Sequence, residues 1–122
     1  MADHSPKFKP GQDITLTAGA PITGKQLLAV SATADNTVVP TSAAASNWIG
    51  VARQDTAVGE KVVVTRGGVQ PLIASGAIVR GARVVPAAAG AVATIGAADE
   101  DVAVGTALTT AVNNLVLVAM DR

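Results

Sequence analysis

From Asp13 onward the chain is a succession of short apolar runs, rich in Val, Ile, Leu and Ala, separated by Gly, Pro, Asn and Asp. Runs this short do not make ordinary helices, and their regular punctuation by turn residues is the pattern of a β-sandwich or β-barrel. The pattern predicts strands at Ile14–Thr17, Leu27–Ser31, Thr37–Pro40, Trp48–Ala52, Lys61–Arg66, Val69–Ile73, Arg83–Ala87, Val92–Ile95, Gly105–Thr109 and Leu115–Met120. Residues Met1–Gly11 differ, with Pro6 and Pro10, charged side chains and no alternation of polar and apolar positions. They read as an extended N-terminal arm (1–11) ahead of a single β domain (12–122).

The turn residues refine this picture. Gly67-Gly68 lies between two β-branched runs, and glycine accepts the positive φ of a two-residue turn, so a hairpin is expected there. Asn113-Asn114 stands before the last apolar run, and Asn is the non-glycine residue that best tolerates the left-handed region, so a second tight turn and a terminal hairpin are expected. Helix competes only at Thr41–Asn47 and Ala98–Val102, for one or two turns at most. The halves of the chain also echo each other: Ala20–Leu28 resembles Ala77–Val85, Ile49–Ala52 resembles Val104–Ala107, and Val62–Val64 resembles Leu115–Leu117. This is either a weak internal duplication or the recurrence of Gly and Val in a Val-rich chain.

Composition sets the energetics. The 122 residues are 49% hydrophobic but include one Trp, one Phe and no Tyr, so the core is built from Ala, Val, Leu and Ile. Small side chains bury little area each, at about 25 cal/mol per Å², which leaves a monomer marginal and favours an oligomer. Nine basic and nine acidic residues cancel, and the basic ones are scattered, so no continuous footprint for nucleic acid is present. The absence of Cys excludes disulfides and thiolate chemistry. The N-terminus lacks the apolar segment of a signal peptide, and the stretch Val84–Ala98 is broken by Pro86, Gly90, Thr94 and Gly96, so no membrane span is expected.

Candidate chemistry is sparse. The sole His, His4, lies in the arm, where nothing orients it for nucleophilic catalysis. Asp99-Glu100-Asp101 lacks the alternating ligands and glycine turn of a calcium loop and reads as a solvated loop or helix start. Asp55 and Glu60 sit in a strand connection; the sequence leaves open whether they face each other, and solvation is the ordinary outcome. Lys61 opens a strand instead of sitting at a turn, unlike the modified lysine of a lipoyl-type hairpin. Gly67-Gly68, Gly76 and Gly81 lack the helix and Lys-Ser/Thr pair of a phosphate loop. Trp48, at a strand start beside Ile49, is an anchor either of the core or of an interface. No enzyme activity, cofactor or metal is expected. A small-ligand or carbohydrate-binding β-barrel is the alternative function, although Trp48 and Phe8 are the only aromatics available to line a pocket.

The succession Ala18-Gly-Ala-Pro-Ile-Thr-Gly-Lys-Gln-Leu, Ile49-Gly-Val-Ala, Ala57-Val-Gly-Glu-Lys-Val-Val-Val, Gly68-Val, Gly81-Ala-Arg-Val-Val and Val104-Gly-Thr-Ala-Leu resembles the small capsid decoration, or cement, proteins of tailed bacteriophages. The likeness runs from about Gly11 to Met120, and the group includes the head-stabilising proteins of lambda-type phages. It implies an all-β fold, a small compact β-barrel or β-sandwich of β-tulip-like form with short turns. It further implies a trimer on the outer capsid surface of the virion that stabilises contacts between subunits of the major capsid protein. On this resemblance the arm adds an extended strand to the capsid protein, with Phe8 in a pocket, Lys7 and Lys9 meeting acidic groups, and Pro10 beside them.

Overall fold

The computed structural model describes residues 13–98 and 100–121. The arm residues Lys7, Phe8, Lys9 and Pro10, together with His4 and Asp99, lie outside the described residues. The fold is all-β, and each of the ten segments read from the hydrophobic pattern is a strand, with ends within two residues of expectation. In chain order these are β1 (Ile14–Ala18), β2 (Leu27–Val30), β3 (Thr37–Pro40), β4 (Trp48–Ala52), β5 (Lys61–Thr65), β6 (Val69–Ile73), β7 (Arg83–Pro86), β8 (Val92–Thr94), β9 (Gly105–Ala107) and β10 (Leu115–Met120).

The first five strands close into a barrel in the order β1-β3-β2-β4-β5. All its pairs are antiparallel except β1 with β3. The last five form a sheet in the order β6-β10-β9-β7-β8, whose outer strands approach at a parallel bridge between Ala74 and Val92. The pairing scheme repeats strand for strand. β6 pairs with β10 as β1 pairs with β5, and Leu72 opposite Val116 corresponds to Leu16 opposite Val62. β7 pairs with β9 as β2 pairs with β4, and Val84 opposite Gly105 corresponds to Leu28 opposite Gly50.

Two cores result, and β2 serves both. Leu28 points into the barrel with Ile14, Ala18, Val38, Val62 and Val64. Its neighbour Leu27 points the other way and joins Leu72, Ile78, Val84, Val104, Val116 and Val118 of the second sheet. Successive residues of a strand face opposite sides, so a strand shared by two cores is apolar on both. β4 joins the same boundary through a bulge: Leu28 pairs with Gly50 but Ala29 pairs with Trp48, leaving Ile49 as the extra residue. The bulge reverses the alternation, and Trp48 therefore lands on the same side as Val51, in the second core, although three positions would ordinarily place them on opposite faces. The boundary is closed by polar links, Thr41 Oγ1 donating to the Ala87 carbonyl at 3.0 Å and Gln26 Nε2 donating to that of Ala89 at 3.0 Å.

Two local expectations are corrected. Gly67 and Gly68 do take positive φ values of 70° and 69°, but no hairpin forms: β5 pairs with β1 and β4, and β6 pairs with β10. Closure of the barrel occupies both edges of β5, so the glycine turn instead carries the chain out of the barrel into the second sheet. At Thr41–Asn47 there is no helix. Those residues are held by the bonds of Thr41 and by Ala44 N–H to the Pro86 carbonyl at 2.8 Å. A single 3-10 turn at Glu100–Val102 falls where a short helix was expected, and another at Ala88–Gly90 was not expected. Asn113 and Asn114, at φ 53° and 61°, make the tight turn: Val112 and Leu115 exchange two backbone hydrogen bonds of 3.0 Å, and β10 returns against β9.

Gly50 and Gly105 mark the close approach of β4 to β5 and of β9 to β10. A Cβ on Gly50 would lie 2.6 Å from the Thr65 carbonyl oxygen, and one on Gly105 would collide with that of Ala119. Gly105→Ala is therefore expected to destabilise the fold by about 3 kcal/mol, against about 1 kcal/mol for Gly59→Ala, where φ is positive but space is open. Urea unfolding of both variants checks this, and equal losses would refute the close-approach argument.

Candidate docking surface

The ribbon of β6 and β10 presents a face without charge. Its inward positions, Leu72, Val116 and Val118, fill the second core. The alternate positions, Val69, Pro71 and Ile73 on β6 and Leu115, Leu117 and Ala119 on β10, face outward and pair across the ladder. Val69 is 53% exposed, Leu115 39% and Leu117 40%. The loop before β10 extends the patch with Leu108 and with Val112, the latter 65% exposed. Pro71, Thr109, Thr110, Val112, Leu115, Val116 and Leu117 line a depression of about 360 Å³ on it. A contiguous apolar patch on a small soluble protein ordinarily marks a contact surface.

The barrel provides an internal comparison. The corresponding ribbon of β1 and β5 carries Thr15 and Thr17 opposite Val63 and Lys61. Lys61 Nζ donates to Thr17 Oγ1 at 2.8 Å. The same backbone plan is therefore satisfied by a polar, charged face, so the apolar face of β6–β10 is not demanded by the fold.

A second depression of about 280 Å³ lies where barrel and sheet meet, lined by Lys25, Val51, Ala52, Arg53, Thr65, Gln70 and Pro71. The two depressions share Pro71. Arg53 meets Asp13 at 3.4 Å in a largely exposed pair, a contact worth little in water. Lys25 has φ 75°, a left-handed conformation that costs a residue with a Cβ about 1–2 kcal/mol. Its backbone N–H donates to the Ala52 carbonyl at 2.8 Å, as that of Gly81 donates to Ala107 at 2.7 Å. At the matching turn of the second sheet the residue is thus glycine, with φ 87°.

A third cluster is structural. Arg83 donates from Nε to Glu100 at 2.6 Å and from Nη1 to Thr106 and Asp121 at 3.0 and 3.1 Å, tying the Glu100 turn to β9 and the end of β10. Its hydrogen bonds to Asp121 and then to Glu100 raise its pKa further above the ordinary arginine value.

The remaining sequence candidates are dispersed. Trp48 is 4% exposed, inside the second core. Asp55 Oδ1 accepts the Gly24 N–H at 2.8 Å, and Glu60 is exposed in the connection before β5. Among the described residues no group of three or more His, Cys, Asp or Glu is placed to hold a metal ion, and no helix is long and apolar enough to cross a membrane. The apolar ribbon face was not singled out from sequence, although Leu115–Met120, apolar at six consecutive positions, carries the signal of a strand apolar on both faces.

These features define a small all-β protein with an uncharged, apolar outward face. The chain belongs to the phage cement protein family, whose model matches residues 8–121, and it has the capsid-associated structural role of that family. Its fold is similar to that of the N base of the head fiber gp8.5 of bacteriophage phi29, with a TM-score of 0.72 at 20% identity over 90% of this chain and 93% of that one. No curated protein sequence matches the chain.

Because Leu115 stands where the barrel has Lys61, Leu115→Lys is expected to change the unfolding free energy by no more than about 0.5 kcal/mol. It should also lower the fluorescence of a dye that binds exposed apolar surface. A loss of more than about 2 kcal/mol in urea unfolding would mean that the face belongs to the protein's own core.

Proposed function

We propose that this protein is a non-enzymatic cement that sits on the outer surface of the phage head, binds the major capsid protein and stabilises contacts between its subunits. The observation that carries this reading is the uncharged outward face of β6–β10, present in a fold whose barrel shows that a polar face would serve. A protein that works by contact needs such a surface and needs no assembled catalytic group.

In this reading the chain is organised as an arm, residues 1–11, and one β domain, residues 12–122, whose halves are an internal duplication. The recurrence of the pairing scheme supports the duplication. The protein acts as a homotrimer, and the arm reaches the capsid with Lys7, Phe8, Lys9 and Pro10. Three arms on one trimer bind as linked sites, so contacts that are weak singly gain effective concentrations of about millimolar and hold collectively. A ligand-binding barrel is less well supported, because the barrel interior is filled by Ile14, Leu28, Val38, Val62 and Val64.

Light scattering is expected to give three times the chain mass of 12.0 kDa. Deletion of residues 1–11 should leave that mass and the urea midpoint unchanged while reducing co-sedimentation with expanded heads at least tenfold. Intact protein that ignores expanded heads would overturn the cement reading; undiminished binding by the deletion variant would overturn the role of the arm alone.

A further inference from the structure

We infer that the two depressions meeting at Pro71 form one groove for an extended segment of a capsid protein, a segment that carries a carboxylate at one end and large apolar side chains at the other. The inference rests on the capsid-binding reading above and names the chemistry of the partner segment.

Charge fixes one end. Lys25 and Arg53 are the charged residues lining the depression at the junction of barrel and sheet, and both are exposed. No carboxylate among the described residues is paired with Lys25, and Arg53 has only its long, exposed contact with Asp13. An incoming carboxylate can meet the first and compete for the second. Beyond Pro71 the lining becomes Leu117, Leu115 and Val112, with no charge, which selects apolar side chains.

The backbone at Lys25 is a second, independent observation. The turn it occupies is made in the second sheet by Gly81, at a φ that glycine adopts freely. A lysine held in that conformation, at a place where glycine would serve the fold, is the kind of outlier that marks a functional side chain.

The same features argue against a second copy of the chain seated by a two-fold contact. In a two-fold contact between identical grooves, either the cationic ends meet and repel, or each covers the partner's apolar end and leaves its own charge unpaired. A segment with an acid at one end and apolar residues at the other satisfies both.

Zero-length carbodiimide cross-linking of the full chain on expanded heads, followed by peptide mass spectrometry, tests this. The expected product joins Lys25 Nζ to an Asp or Glu of a head protein. Lys25→Arg should lose the product while keeping head affinity. Lys25→Gly should unfold at no lower urea concentration than the parent yet bind heads about tenfold more weakly, and Leu117→Lys should weaken binding similarly. Lys61→Glu and Arg80→Glu, outside the groove, should bind as the parent does. If intact protein binds heads but Lys25 links to a second copy or to nothing, or if Lys25→Gly and Leu117→Lys bind undiminished, the groove is refuted and the cement reading stands. If intact protein does not bind heads, both fall.

Discussion

Leu27 and Leu28 are neighbours in β2, and their side chains belong to different cores, one in the second sheet and one in the barrel. Much of the architecture depends on this shared wall. A chain with one Trp, one Phe and no Tyr has few side chains that bury large areas, and two separate five-stranded units would each have a thin core. Letting β2 and β4 serve both units makes every leucine and valine at the boundary count. The bulge at Ile49 belongs to the same solution, since without the reversal of alternation Trp48 would leave the second core.

The two units follow the same pairing plan and differ in what they show to the outside. In the β1–β5 ribbon, threonines and a lysine satisfy one another, as the bond from Lys61 to Thr17 illustrates. In the β6–β10 ribbon the same positions are Val69, Pro71, Ile73, Leu115, Leu117 and Ala119. Because folding is compatible with either, the difference reports a requirement outside the fold. A similar contrast holds at Lys25 and Gly81, where the backbone conformation is equivalent and only one residue suits it without strain.

The strands themselves were legible in the sequence because each is a short apolar run bounded by a turn residue, and that signal is local. Partner choice was not local. Gly67-Gly68 announced its positive φ values correctly but said nothing of the strands on either side, and closure of the barrel had already taken both edges of β5. The likeness of the two halves was visible as phrases, yet the phrases set Leu27 against Val84, whereas the ladders set it against Arg83. The apolar outward face escaped because strand prediction counts apolar residues toward burial. Six apolar positions in Leu115–Met120 serve two faces, one inside and one outside, and only the pairing with β6 separates them. The direction of Trp48 was hidden for the same reason: it is set by a bulge, which pairing reveals and composition does not.

A cement works by raising the cost of separating other molecules, so its own parts must not separate more easily than the parts it joins. The groove crosses from the barrel, at Lys25 and Arg53, to the second sheet, at Pro71 and Leu117. A segment lying in it would touch both units, and a pull along that segment would be shared by the wall that Leu27, Trp48 and Val51 build against the second core and by the polar links of Thr41 and Gln26. An independent pair of domains on a linker would yield at the linker under such a pull. Two sheets sharing one wall yield only when a buried apolar boundary opens, which exposes several large side chains to water at once. The economy that lets an aromatic-poor chain fold is therefore also what suits it to resist being drawn apart.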